Sequence, residues 1–305
     1  MAVISALLVV AAVTMITASL LQRQDAFLRG VQAAQNRAQA QALLRGGLNL
    51  ALRLIKEDGE RNATTRGDAP WAAPITDARL AATAGGQPVF LGRLEDEQGK
   101  LNLRNLVFEG KLYQDGVEEL ARLCQSLGLR PEVADALAQR MLASLPPPHK
   151  AGDGAASARP GGAGRPGLAP FPRSLDELAG APGVDAGVVA RLRPYVTVLP
   201  RVTLVNVNTA RAEVIAARVP DLSLEQAKAL VAQRDAGMWF ATEGDFANRL
   251  NLPGQQGNPA RVAVQSNWFR LAGAARLGSA LVPFQALLAR GAKPWPEVLW
   301  SREGA

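Results

Sequence analysis

The sequence predicts an α+β fold in which a long amino-terminal helix packs on an antiparallel sheet and a large all-α domain is inserted between the strands. The first 57 residues contain no proline, and apolar residues recur in them at helical spacing. Strand-like segments occur near Val89 and return only after residue 260. The block between them has a helical pattern, so it is an insertion if the flanking strands share one sheet.

Residues 1–21 contain no charged side chain. At about 1.5 Å per residue, a helix of this length spans roughly 30 Å, the thickness of the hydrocarbon core of a membrane. A cleaved secretory signal would have a basic amino-terminal region and a shorter apolar run, and neither is visible. We therefore predict a single-pass transmembrane helix over residues 1–21, with a soluble body on the far side of the membrane.

The helical pattern continues beyond the predicted membrane span, over residues 22–57. One apolar stripe begins at Phe27 and a second begins at Leu44. Gly46 and Gly47 are expected to weaken or bend the helix, at a cost of about 1 kcal/mol each. The pattern predicts one helix that lies half in lipid and half on a soluble domain.

The soluble body is predicted to contain two domains. Residues 58–106 and 261–305 are assigned to the α+β domain, and residues 107–260 to the inserted helical domain. Within the first part, Val89–Leu94 and the residues that follow the turn signal Asp96–Gly99 alternate like the strands of a β-hairpin.

The inserted domain is predicted to combine amphipathic helices with one long loop. Residues 144–173 include 13 Pro or Gly among 30, so this stretch cannot bury a core and is predicted to be a flexible surface loop. Two helical hairpins follow it. A capping box of Ser174 with Glu177 is expected in the first, and one of Ser223 with Gln226 in the second.

Composition argues against most kinds of catalytic site. The chain has one cysteine, Cys124, and one histidine, His149, so a Ser-His-Asp triad, a Cys-His pair or a zinc site is hard to build. A carboxylate-based enzyme stays formally possible. The acidic cluster Glu95–Glu97 is nevertheless predicted to be a turn. The second cluster, Asp176–Glu177, is predicted to be a charge pair at the start of a helix, where it interacts favourably with the helix dipole. We predict no enzyme.

Four segments, in this order and spacing, resemble the minor pseudopilin K family of the type II secretion system. They are MAVISALLVVAAVT at the amino terminus, EDEQGKLNLRNL from Glu95, SLDEL followed by PYVTVLP from Ser174, and VNVNTA from Val205. The resemblance implies a pseudopilin fold and a role at the tip of the periplasmic pseudopilus, which the protein would cap and help to initiate for export across the outer membrane. It also implies a single-pass protein of the bacterial inner membrane with its body in the periplasm.

The same resemblance implies partners, and we predict no nucleic acid among them. The expected partners are the minor pseudopilins I and J, the major pseudopilin G, the prepilin peptidase and the inner-membrane secretion platform. The peptidase would remove a short basic leader and methylate the new first residue. Met1 aligns with that residue, so the sequence is expected to be the processed form or to have a misplaced start.

Ser5 occupies the position that is usually glutamate in pseudopilins, where a carboxylate would need the amine of a neighbouring subunit. Members of the resembled family typically lack this glutamate. Ser5 is therefore either one more small polar residue of a membrane helix or, as we favour, the sign of a subunit that engages no such neighbour.

The family also binds calcium through acidic residues, some of them in the loop that aligns with 144–173. That loop has only Asp153, so we predict no cofactor.

The alternative is a membrane-anchored DNA-binding or DNA-uptake protein with helix-hairpin-helix units. The net charge of +7 and the NVNTA…LVAQRDAG pattern favour it. Such hairpins bind phosphate through backbone N–H groups at a glycine-rich turn before a helix. The two turns here, Pro182–Asp185 and Val219–Ser223, contain acids that would repel phosphate. We therefore interpret both units as structural.

Overall fold

The computed structural model describes residues 2–77, 89–145, 168–250, 261–277, 280–291 and 293–304. One helix, α1, runs over Ala2–Arg61, four residues past the predicted end, and is about 90 Å long. Leu44, Ala51 and Ile55 of the second predicted stripe are buried against the sheet. The first stripe stays exposed among the described residues, with Phe27 70% and Val31 40% exposed.

A five-stranded antiparallel sheet covers the carboxyl-terminal third of α1, as the sequence predicts for the fold class. Its strands lie in the order β1-β2-β9-β10-β11. Phe90, Leu94, Phe269 and Leu271 form one apolar core with α1. The strands of the described segments are β1 Ile75–Asp77, β2 Val89–Asp96, β3 Leu101–Asn102, β4 Val107–Phe108, β5 Lys111–Leu112, β6 Val196–Thr197, β7 Val205–Asn206, β8 Val262–Ala263, β9 Trp268–Leu277, β10 Ala280–Ala289 and β11 Glu297–Glu303.

Gly47 lies in the part of α1 that was expected to be weakened or bent. The helix is continuous there. A Cβ atom added to Gly47 would lie 2.4 Å from the ring of Phe90 on β2, so the missing side chain allows the helix to approach the sheet closely.

The insertion begins where β2 ends. Asp96 of β2 pairs with Phe269 of β9, so residues 97–267 leave and re-enter the sheet between two neighbouring strands. The predicted β-hairpin is therefore wrong. The Asp96 carboxylate accepts the Gln98 N–H at 2.8 Å and closes a 3-10 turn over Glu97–Gly99. β3 then leaves the sheet and pairs with β6 in parallel.

The insertion has an apolar core of its own, separate from the core under the sheet. Leu120, Leu123, Leu137, Met141 and Phe240 are among its most buried members. Three short strand pairs, β3–β6, β4–β5 and β7–β8, accompany the helices. The helices are α2 Gln114–Ser126, α3 Glu132–Ala143, α4 Ala186–Leu192, α5 Ala212–Arg218, α6 Leu224–Asp235 and α7 Glu243–Leu250.

Of the two predicted capping boxes, only one forms. Ser223 and Gln226 make both reciprocal bonds at the start of α6. Glu177 instead accepts the backbone N–H of Arg173 at 2.9 Å, and a single 3-10 turn, Leu175–Leu178, replaces the first helix of that hairpin. Most of the predicted flexible loop at 144–173 lies outside the described residues.

Candidate functional site

The amino-terminal part of α1 is apolar and uncovered. By length and composition it is a candidate membrane span, with a mean hydropathy of 2.4 over an 18-residue window of which none is buried. Thr14, Thr17 and Ser19 donate their hydroxyls to carbonyls three or four residues earlier, at 2.8–3.0 Å. These polar groups are thus satisfied within the helix, as the interior of a bilayer requires.

The two site residues expected from the sequence lie at the start of this segment. Ser5 is exposed and lies in the first turns of α1, and the first carboxylate of the chain follows only at Asp25. Met1 lies outside the described residues. The expected processing of Met1 and the expected role of Ser5 remain predictions.

Beyond the apolar segment, α1 continues uncovered as far as residue 39. Phe27, Leu28 and Val31 are 70%, 62% and 40% exposed. Large apolar side chains grouped on a bare helix are typical of a surface that another protein covers. This segment is therefore the first candidate interaction surface.

The second candidate site is the junction between the sheet and the insertion, and its centre is the buried carboxylate of Asp96. The carboxylate accepts hydrogen bonds from Ser266 Oγ at 2.5 Å, Thr209 Oγ1 at 2.6 Å, Gln98 N at 2.8 Å and Asn206 Nδ2 at 3.0 Å. Burial raises the pKa of Asp96, and the hydrogen bonds oppose this rise. The donors come from the insertion and from the segment that leads back into β9.

Two side chains, those of Asn206 and Arg290, extend this network to the end of α1. Asn206 Nδ2 also lies 3.0 Å from the carbonyl oxygen of Thr65. Arg290 of the sheet domain donates to Asp58 at 3.0 Å, and to Thr65 Oγ1 and the carbonyl of Ser266, each at 2.7 Å. Helix, sheet and insertion are thus joined by one polar network.

This junction was not predicted from the sequence, although a signal for it is present. Asn206 and Asn208 alternate with valines in an otherwise apolar segment, and both are buried. Asn208 bonds the N–H and the carbonyl of Phe240, each at 2.9 Å. The signal is therefore the pair of side-chain amides between valines, because amides buried in an apolar segment need hydrogen-bond partners in distant backbone.

Glu95 and Glu97, the two glutamates of the first acidic cluster, are engaged in ion pairs. Lys100 contacts Glu95 at 3.2 Å and Glu97 at 2.8 Å, and Arg270 contacts them at 3.0 and 3.1 Å. Although burial by itself raises the pKa of Glu95, the charges of Lys100 and Arg270 outweigh it and lower this pKa to about 2. These carboxylates stabilise the domain junction.

The second acidic cluster and the hairpin turns also have structural roles. Asp176 pairs with Arg193 at 2.5 Å and Glu177 with Arg302 at 3.3 Å. Asp185 accepts the Val188 N–H at 2.8 Å and so caps α4. The side chain of Asp185 thus accepts a hydrogen bond from a backbone N–H to which a phosphate would bind in a DNA-binding hairpin.

The described residues include no group of three or more His, Cys, Asp or Glu placed to hold a metal ion. Calcium requires about six to eight oxygen ligands, and the expectation that the chain has no cofactor stays a prediction. His149 and Asp153 lie outside that part. Burial raises the pKa of the Cys124 thiol to about 11, and Cys124 packs in the core of the insertion.

Comparisons with known families and relatives agree on one system. Two family models, both described as type II secretion system (T2SS), protein K, match residues 99–201 and 205–265, together more than half of the chain. The type II secretion system protein K of Pseudomonas aeruginosa is 29% identical over 299 residues, which are 95% of this chain and 88% of the relative. The protein of the same name from Dickeya chrysanthemi is 37% identical over 102 residues, 31% of this chain and 28% of the relative.

A solved structure has a similar fold. A chain in the crystal structure of the GspK-GspI-GspJ complex from the enterotoxigenic Escherichia coli type 2 secretion system matches with a TM-score of 0.61 and 19% identity. The match covers 90% of this chain and 99% of that chain. At this identity the likeness shows that the fold is shared.

Proposed function

The chain belongs to the protein K family of the type II secretion system, and we propose that it caps the tip of the periplasmic pseudopilus and helps to initiate its assembly. The observation that supports this most directly is the form of α1. Roughly its first two thirds are uncovered, and its last third packs on the sheet. Such a helix can lie in a membrane or among other helices while the body stays outside.

The location that we propose is the inner membrane, with the body in the periplasm. An uncovered apolar helix of this length is stable only in lipid or against other apolar helices. The full-length protein should remain in the membrane after high-salt and carbonate washes and dissolve only in detergent. Release by either wash would contradict the proposed anchor.

Mass spectrometry of the amino terminus would test whether Met1 is methylated.

The capping role is supported by the size and the position of the insertion. Residues 97–267 are more than half of the chain, and they form a core of their own beside the sheet. In a pilus-like filament, subunits stack closely through their long helices. A packed domain has low compressibility. A second copy stacked above would therefore clash sterically with the insertion. One copy at the end of the filament avoids this collision.

The position of label on the filament tests capping. Immunogold directed at the intact protein should mark one end of each pseudopilus. A shortened variant, in which a two-residue turn joins Asp96 to Phe269, keeps the pairing of β2 with β9. It should be incorporated along the filament. Label distributed evenly along filaments of the intact protein would contradict the capping role.

The partners that we propose are the minor pseudopilins I and J, because the similar solved chain comes from a complex of K, I and J. The major pseudopilin G, the prepilin peptidase and the inner-membrane platform complete the proposed set. We place the contact with I and J on the uncovered face of α1 that carries Phe27. Phe27→Ala should weaken co-purification of the full-length protein with I and J.

A matched control is available for this experiment. Phe108 is 63% exposed, close to the 70% of Phe27, but it lies on the insertion. Phe108→Ala should leave co-purification unchanged. Equal yields of the complex with both variants would exclude this face of α1 as the contact. We propose no catalytic activity and no nucleic-acid partner for the chain.

A further inference from the structure

A cleft of about 620 Å³ lies where the sheet meets the insertion. This is within the range of roughly 300–1,000 Å³ that encloses a ligand of several functional groups. Trp71, close to the sheet, and Trp239, in the insertion, both line it. Six cationic side chains also line it: Arg93, Lys100, Arg193, Arg211, Arg234 and Arg270.

Four of these cations already have a carboxylate partner. Lys100 and Arg270 are paired with Glu95 and Glu97. Arg234 contacts Asp235 at 2.9 Å, and Arg193 pairs with an aspartate of the neighbouring 3-10 turn. The carboxylate partners hold these four cations in place and neutralise their charges.

Arg93 and Arg211 are different. Both are exposed, and neither forms an ion pair within the described part of the chain. Arg93 extends from β2, and Arg211 precedes α5 and lies over the ring of Tyr195, 5.6 Å from its centroid. The cleft therefore has an unbalanced guanidinium on each of its two sides.

The acids that line the cleft do not neutralise this excess. Asp68 pairs with Arg66 at 3.3 Å, and Asp96 is buried with four hydrogen-bond donors. Glu95 and Asp235 are in the pairs already described. The free charge that the cleft presents to a ligand is positive.

We propose that this cleft binds an acidic segment of another polypeptide, with carboxylates on Arg93 and Arg211 and an apolar side chain against Trp239. A guanidinium presents paired N–H groups that match the two oxygens of a carboxylate. The indole of Trp239 adds apolar surface to the same cleft. Two arginines, one from the sheet and one from the insertion, suit a ligand of several residues better than one small anion. This inference goes beyond the proposed capping role and does not depend on it.

The test uses the full-length protein in detergent and a labelled seven-residue peptide with two glutamates that flank a leucine. Fluorescence anisotropy gives the dissociation constant at low and at high salt. Arg93→Gln and Arg211→Gln should each weaken binding about tenfold, which corresponds to the loss of one charge-assisted contact. High salt should also weaken it, because exposed charges are screened. A peptide with glutamines in place of the glutamates should not bind.

Arg201→Gln is the matched control, because Arg201 is exposed and lies outside this cleft. It should leave the dissociation constant unchanged. An equal loss with Arg201→Gln would show that the basic surface in general attracts the peptide, and would overturn the proposal. Failure of the wild-type protein to bind the peptide would do the same. Displacement by inorganic phosphate as efficient as by unlabelled peptide would replace the peptide site with a small-anion site.

Discussion

Asn206 of the insertion donates its side-chain amide to the carboxylate of Asp96 at 3.0 Å, across 110 positions of sequence. Asp96 is the last residue of β2, and Asn206 is the last residue of β7. The insertion is thus fixed to the sheet by a buried polar contact in addition to apolar packing. A buried polar contact requires each group to find its partners, so it fixes the orientation of the insertion.

Asp96→Asn should destabilise the protein by about 3 kcal/mol, because an amide cannot accept all the hydrogen bonds that the carboxylate accepts and buried donors lose their partner. Relief of the buried charge offsets only part of this loss. Chemical denaturation of the full-length protein in detergent gives the change in the free energy of unfolding. Asp68→Asn, in an exposed pair, should change it by less than about 1 kcal/mol. Equal effects of the two variants would show that the network contributes little.

Gly47→Ala should also destabilise the protein, by about 2 kcal/mol. Alanine in place of glycine ordinarily favours a helix by about 1 kcal/mol. Here the new Cβ would lie 2.4 Å from the Phe90 ring, and relief of such overpacking costs about 1–3 kcal/mol or more. Gly30→Ala is the control, since nothing lies within 4 Å of its Cβ position. A melting temperature of Gly47→Ala that equals or exceeds the wild type would refute the close approach of α1 to β2.

Glu95→Gln should change how stability depends on pH. The folded-state pKa of Glu95, about 2, is lower than its ordinary value of 4.5. The stabilisation by this carboxylate is therefore fully present above pH 4.5 and is lost as the pH falls towards 2. Its side chain is 44% exposed, so solvent screening limits the effect to about 1 kcal/mol.

Denaturation of both proteins at pH 7 and near pH 2 checks this prediction. The wild type should be the more stable at pH 7, and the difference should vanish near pH 2. Glu109→Gln, at an exposed position in the turn between β4 and β5, should have no such pH-dependent effect. A difference between wild type and Glu95→Gln that is independent of pH would contradict the assigned ion pairs.

The protein should have no meaningful affinity for duplex DNA despite its net charge of +7. Asp185 caps α4, and Asp221 lies in the turn before α6 with a φ of 64°. Acids therefore lie at both turns where phosphate would bind. Binding should be measured across a salt series. A dissociation constant tighter than about micromolar at physiological salt, with a steep salt dependence, would favour the DNA-binding alternative.

Features that depend on near neighbours could be predicted from the sequence. The candidate membrane span follows from the absence of charge over residues 1–21, which is a property of the residues alone. The capping box joins Ser223 and Gln226, which are three residues apart, so its geometry is set within one helical turn. The motifs that indicated the family could be recognised in the same way, as short segments in a fixed order.

Other features required contacts that no local pattern contains. Asp96–Gly99 has the composition of a hairpin turn, yet β2 pairs with β9, so the chain turns into the insertion instead. Ser174 and Glu177 have the spacing of a capping box, but Glu177 bonds Arg173 and the distant Arg302. The sequence by itself determined the candidate membrane span, the helical insertion and the fold class, because local hydropathy and periodicity specify them. Only the tertiary structure decided the partners of Asp96 and Glu177, because a carboxylate binds whichever donors the folded chain brings within about 3 Å.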